Sequence, residues 1–195
     1  RPFALESAVS FTPASNPNPD RFRRSYRAQS RVMTSTHADL LNLEIGSKKW
    51  SKEQWEHYLE LPDDLRYSEL AKKIVEQIPM ESRKHAILRA NSVQRWLAKE
   101  GIYSLNSKHS DAADPTAHFL FGNRTGYCVH FAHAATYLLR SLGIPTRVGS
   151  GYKAQDSSRQ GGSALMLTSA DAHAWPEIYL RDVGWVVVDV QPERN

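Results

Sequence analysis

The chain has 195 residues, 41% of them hydrophobic and 24% charged, with a formal net charge of +4. That size supports one substantial core with a small appendage, and no stretch approaches the roughly 18 consecutive apolar residues of a membrane span. The basic residues form no long run and no stripe interleaved with aromatics, so the charge does not point to nucleic acid; Arg21-Phe22-Arg23-Arg24 reads as a solvated strand end.

In chain order, residues 1–50 read as a strand-rich extension. Asn16-Pro17-Asn18-Pro19-Asp20 is turn chemistry, and the alternation from Tyr26 to Val32 suits a half-exposed strand, so two or three strands are expected. Ser51 and Gln54 form a capping-box pattern that opens a short helix through Trp55 and Tyr58, stopped by Leu61-Pro62. Leu70, Ala71, Ile74, Val75 and Ile78 predict a helix over about 67–78, ended by Pro79. Another helix is predicted from about Ser82 to Glu100, with Ala86, Ile87, Ala90, Val93, Trp96 and Leu97 inward and Gly101 beyond its end. Residues 104–116, around Asp114-Pro115, read as a loop, after which Phe119-Leu120-Phe121 returns to the core. From Cys128 a helix is expected to Leu142, with Phe131, Ala134, Ala135, Leu138 and Leu142 inward and Gly143 as its stop. Three strands should follow: Thr146–Tyr152, interrupted by two glycines, His173–Leu180, and Trp185–Val190. Between the first two, Gln155–Gly162 reads as a mobile polar loop.

Cys128 is the single cysteine, so no internal disulfide forms; this suits the cytosol and equally an extracytoplasmic site that needs a free thiol. The chain begins Arg1-Pro2, as expected of an excised or processed piece, so the lack of a signal segment there says little about compartment. Taken alone, a cysteine is more often a small buried hydrophobe than a nucleophile. Cys128 differs in heading a helix, where unpaired N–H groups and the helix dipole favour a thiolate, and where its own N–H could supply half of an oxyanion hole. His173 and Asp189 open and close the last two strands, so an antiparallel return brings them together. They share a face only if the register parity is right. Pairing Leu180 with Trp185 separates them; pairing Tyr179 with Trp185, or Leu180 with Gly184, unites them. An odd loop of three or five residues, or a bulge, is therefore predicted. With that geometry Asp189 would orient His173, and His173 would take the proton from Cys128 and return it to a leaving amine.

Gly126-Tyr127-Cys128, His130-Phe131-Ala132, Leu139-Arg140 through Gly143-Ile144-Pro145, Thr146-Arg147-Val148 and Gly151-Tyr152, followed by His173-Ala174-Trp175, Glu177-Ile178-Tyr179 and Gly184-Trp185 to Asp189, resemble the transglutaminase-like superfamily of papain-like fold. The resemblance runs from about Leu61 to Asp189 and is nearest the bacterial, membrane-associated branch. It implies an α+β fold, with the cysteine at the N-terminus of a central helix packed on an antiparallel sheet. It also implies residues 51–195 as the catalytic domain, Cys128, His173 and Asp189 as catalytic residues, no cofactor, and a protein or peptide amide as substrate. The activity implied is that of a thiol acyltransferase or a cysteine protease. Members of that branch often sit outside the cytoplasm between membrane helices, so attachment to helices beyond this sequence is expected, with a cytoplasmic location as the alternative. Pro176 departs from the pattern, which usually has a branched apolar residue there; a lost ladder donor predicts an edge or bulged strand. The second oxyanion donor is left open, Tyr103 being one candidate.

Two rivals deserve weighing. Cys128, His130, His133 and His173 could form a metal cluster, but Cys128 and His130 point about 160° apart on a helix. A non-catalytic binding module would keep the fold and lack the chemistry. No regularly spaced carboxylate loop appears, so calcium independence is expected.

Overall fold

The computed structural model describes residues 7–21, 23–31, 34, 36–153, 167–190 and 192. Phe22, Val32 and the loop expected at Gln155–Gly162 lie outside the described residues. The chain divides into two compact units, Arg1–Ala38 and Asp39–Asn195.

The first unit is a hairpin. Strand β1 (Ser7–Pro13) pairs antiparallel with β2 (Tyr26–Arg31), with a register irregularity between Ala8 and Ser10. Phe11 and Tyr26 meet edge-on at 5.7 Å, and both remain exposed. A one-turn helix, α1 (His37–Leu40), contains the division.

The second unit holds the buried core. Helix α2 (Lys52–Leu59) opens on the expected capping box: Ser51 Oγ accepts from the Gln54 N–H, and the Gln54 side chain accepts from the Ser51 N–H. Helix α3 (Leu65–Glu76) buries Ala71, Ile74 and Val75 of the expected stripe together with Tyr67, while Leu70 and Ile78 are half-buried. Helix α4 runs Ala86–Glu100, four residues shorter at its start than expected, because Met80–Lys84 winds as a 3₁₀ turn. The stretch read as a loop, 104–116, ends in the first two residues of another helix, α5 (Pro115–Leu120). Asp114 caps it from the Ala117 N–H, Pro115 occupies its first turn, and Tyr67 donates its hydroxyl to the other Asp114 oxygen at 3.0 Å. Two short parallel strands, β3 (Ile102–Tyr103) and β4 (Thr125–Gly126), lead into α6 (Cys128–Ser141). Gly143, at φ +74°, ends α6 in the left-handed conformation that favours glycine.

Three antiparallel strands follow: β5 (Thr146–Tyr152), β6 (Ala172–Leu180) and β7 (Gly184–Val187), with β6 in the middle. Along β6, Ala174, Pro176, Ile178 and Leu180 are buried, and α6 packs against this strand. On the alternate face Trp50 lies 4.5 Å from Tyr179, 4.9 Å from Tyr58 and 6.0 Å from Trp185 between ring centres. Residues 39–50 therefore belong to the second unit. Ile45 bridges Leu180, and the Gly46 N–H donates to Tyr179 O at 3.0 Å.

Two expectations about the sheet need correction. Strand β5 is continuous through its glycines, and Gly149 and Gly151 serve packing instead: a Cβ at Gly149 would lie 2.5 Å from Trp175 Nε1, and one at Gly151 would lie 3.1 Å from the same indole. Pro176 is neither at an edge nor in a bulge; it sits in the central strand, in unbroken register opposite Val148. The reason is which way its nitrogen points. Tyr179 donates to Pro145 O, so by alternation the Val148–Pro176 pair is a non-hydrogen-bonded one, and the missing N–H faces β7. There Pro176 O still accepts from the Val188 N–H at 2.9 Å, on the rung just past the end of β7. The strand predicted to reach Val190 accordingly stops at Val187.

Candidate active site

The β6–β7 loop is the three residues Arg181, Asp182 and Val183, with Leu180 paired to Gly184 and Tyr179 to Trp185. Asp182, at φ +65°, and Gly184, at φ +103°, take the left-handed positions of the turn. This is one of the odd-loop registers that unite His173 and Asp189. Extended two residues past β7, it sets Asp189 on the face shared by His173, Trp175, Glu177 and Tyr179.

The side chains meet there. His173 Nε2 lies 2.9 Å from Asp189 Oδ1, with the histidine side chain 13% exposed. A carboxylate accepts, so Nε2 is the donating nitrogen of this bond. Gly151 stands directly opposite His173 on β5.

Cys128 is the first residue of α6, half-buried, and Tyr127 before it is extended at φ −118°, ψ 179°. The first-turn N–H groups of an α-helix have no partner within it, which makes this end of α6 suited to a developing negative charge. At its other end α6 is tied down by Arg140, whose Nε and Nη2 donate to Thr146 O at 3.0 and 2.8 Å. Helix α6 packs against β6, the strand that carries His173 at its second position.

Two contributors, Gln94 and Lys153, carried no local signal in the sequence, whereas Trp175 stands in the His173-Ala174-Trp175 motif. Gln94 on α4 donates to the Asp189 carbonyl at 2.5 Å. Lys153 Nζ lies 3.9 Å from the second Asp189 carboxylate oxygen. The Trp175 ring, 5.8 Å from that of His173, donates its indole N–H to Glu177, which also accepts from Arg147 Nε at 2.6 Å. The metal reading loses a ligand, because His130 Nδ1 accepts from the Tyr127 N–H. Among the described residues no group of three or more His, Cys, Asp or Glu side chains is arranged to hold a metal ion.

A helix headed by the sole cysteine, laid on an antiparallel sheet that carries a histidine–carboxylate pair, defines a papain-like α+β class of protein. The chain belongs to the transglutaminase-like superfamily, whose family model matches residues 69–190. It is 34% identical over 128 residues to a protein-glutamine gamma-glutamyltransferase of Pseudomonas aeruginosa, covering 64% of this chain and 19% of that protein. It is 29% identical over 145 residues to the uncharacterized protein YebA of Bacillus subtilis, covering 69% of this chain and 19% of that one. The chain thus spans about a fifth of the length of these relatives. Among solved structures it is similar to the periplasmic domain of TgpA from Pseudomonas aeruginosa bound to ethylmercury. There the TM-score is 0.56 and the identity 28%, over 72% of this chain and 49% of that one.

Proposed function

We propose that this chain carries out cysteine-dependent acyl transfer on protein or peptide amides, with Cys128 as nucleophile, His173 as general base and acid, and Asp189 as the orienting carboxylate. The single observation that carries the reading is the 2.9 Å bond between His173 Nε2 and Asp189. It leaves Nδ1 as the basic nitrogen on a strand that packs against the helix opened by the lone cysteine. Membership of the superfamily and the likeness to a gamma-glutamyltransferase support the same chemistry.

In the first half-reaction His173 Nδ1 takes the Cys128 proton, and the sulfur attacks the amide carbonyl. The helix-end N–H of Cys128 faces the oxyanion. Collapse breaks the C–N bond, the amine or ammonia leaves with the proton held by His173, and a thioester remains on Cys128. In the second half-reaction an amine or water attacks the thioester while His173 takes its proton. The C–S bond breaks, and the thiol is restored along with a new amide or a free acid. Asp189 orients the ring and stabilises the imidazolium.

The TgpA domain is periplasmic, which supports an extracytoplasmic location for this chain. No described helix is long and apolar enough to cross a membrane.

The test offers glutamine-containing proteins together with a labelled primary amine, and mass spectrometry scores amine incorporation against hydrolysis. Either product, lost in Cys128→Ala, is the expected result. Neither product from a broad substrate panel, with an unreactive thiol, would favour the non-catalytic binding module instead. Activity unchanged by chelators is expected as well, and activation by added calcium would contradict it.

A further inference from the structure

The backbone that delivers Cys128 is gripped on both sides of Gly126. The Ser104 N–H donates to Gly126 O at 2.7 Å. His109, 4% exposed, places Nε2 2.7 Å from Thr125 O. A carbonyl only accepts, so Nε2 of His109 donates to it, while His109 Nδ1 shares a 2.9 Å hydrogen bond with His118 Nδ1. Beyond the glycine, the Tyr127 N–H donates to His130 Nδ1 at 3.2 Å, which fixes His130 as the Nε2–H tautomer. Gly126 is what allows this closeness: a Cβ there would lie 3.0 Å from both Cβ and Nδ1 of His130 and 2.9 Å from the Phe119 ring. The His130 ring is further confined by Tyr127 at 4.4 Å, His109 at 4.8 Å and Phe119 at 5.7 Å between centres.

We propose, resting on the reading of Cys128 as nucleophile, that His130 is a positioning residue whose unprotonated Nδ1 fixes the Tyr127 N–H and so the helical turn that presents the thiol, and that this hold exists only while His130 is neutral. Protonating Nδ1 would turn an acceptor into a donor facing a donor, and would place a cation at the positive end of α6. The titratable groups facing His130 among the described residues are His109, with His118 behind it, Tyr127, and His133 one turn along α6. Burial, then His109, then His133, hold its basicity below that of an ordinary histidine. The hold is therefore present at neutral pH and is lost as pH falls through the depressed value.

The test measures Cys128 alkylation by iodoacetamide against pH in the wild type and in His130→Asn, His130→Phe and His173→Ala. Asparagine can offer Oδ1 where Nδ1 stood and does not titrate. His130→Phe should slow alkylation about fivefold to tenfold at neutral pH, the loss of one hydrogen bond. His130→Asn should restore most of that rate and hold it further into acid than the wild type. Phenylalanine reacting at the wild-type rate, or asparagine with an unchanged acid limb, overturns the proposal. If His173→Ala alone leaves the rate unchanged, the nucleophile reading fails instead. Nitrogen-15 spectra of the labelled wild type give a test independent of reactivity. They should show His130 Nδ1 unprotonated at neutral pH and the Tyr127 amide shifting as His130 titrates; a protonated Nδ1 at neutral pH overturns the proposal on its own.

Discussion

Removing each of the three site residues should have graded consequences. Cys128→Ala should abolish both half-reactions. His173→Ala should lower turnover by about 10²–10⁴-fold, the usual worth of a positioned general base. Asp189→Ala should cost less, since it leaves the imidazole in place without its partner at Nε2. Steady-state rates on whichever amide the labelling screen identifies would check this order, and an Asp189 variant slower than the His173 variant would contradict it. The partnership of His173 with Asp189 was readable from sequence because strand parity links two distant residues by counting. Gln94 and Lys153 were not readable. Gln94 reaches the Asp189 carbonyl across 95 positions, and no local periodicity marks a residue whose role is a single long-range bond.

At the scale of elements, packing decided what pattern could not. A Cβ at position 149 would collide with Trp175, so Gly149→Ala should destabilise by about 1–3 kcal/mol in urea unfolding, the range of an overpacked site. Asp114→Ala should cost about 1–3 kcal/mol, because it removes the cap of α5 and leaves the buried Tyr67 hydroxyl without its acceptor. Wild-type midpoints for either variant would contradict these accounts. The helices α3 and α6 were legible because each carries an apolar stripe over 12 and 14 residues. Helix α5, with six residues, is too short for periodicity to show, although Asp114-Pro115 bore its opening signal. Pro176 misled for a different reason. Sequence reveals that a donor is missing but not whether that donor would have faced a ladder rung or the end of one.

For the whole molecule, the buried apolar side chains run from Leu40 to Val190, and the described residues of the first unit are exposed or half-buried. A chain of residues 39–195 should therefore fold alone with a cooperative thermal transition; a broad, non-cooperative melt would contradict that. The division at Ala38 was invisible in composition because residues 39–50 join the second unit through pairings with Leu180, Tyr179 and Trp185. Burial is the first cause that holds His130 and His133 below the ordinary histidine value. The unfolded chain then binds protons more readily than the folded one. Their contribution to stability is complete above about pH 6.5 and is lost as pH falls through the folded values. Urea midpoints should drop over that range, and less so in a His130→Asn, His133→Gln double variant. An equal drop in that variant would assign the effect elsewhere. The central claim, a thiol activated by its histidine, is tested most directly by the rate at which Cys128 is alkylated in mildly acidic solution, where an ordinary thiol is almost entirely protonated. Rapid alkylation in the wild type, strongly slowed in His173→Ala and partly slowed in Asp189→Ala, is the predicted result; equally slow alkylation in all three proteins would contradict it.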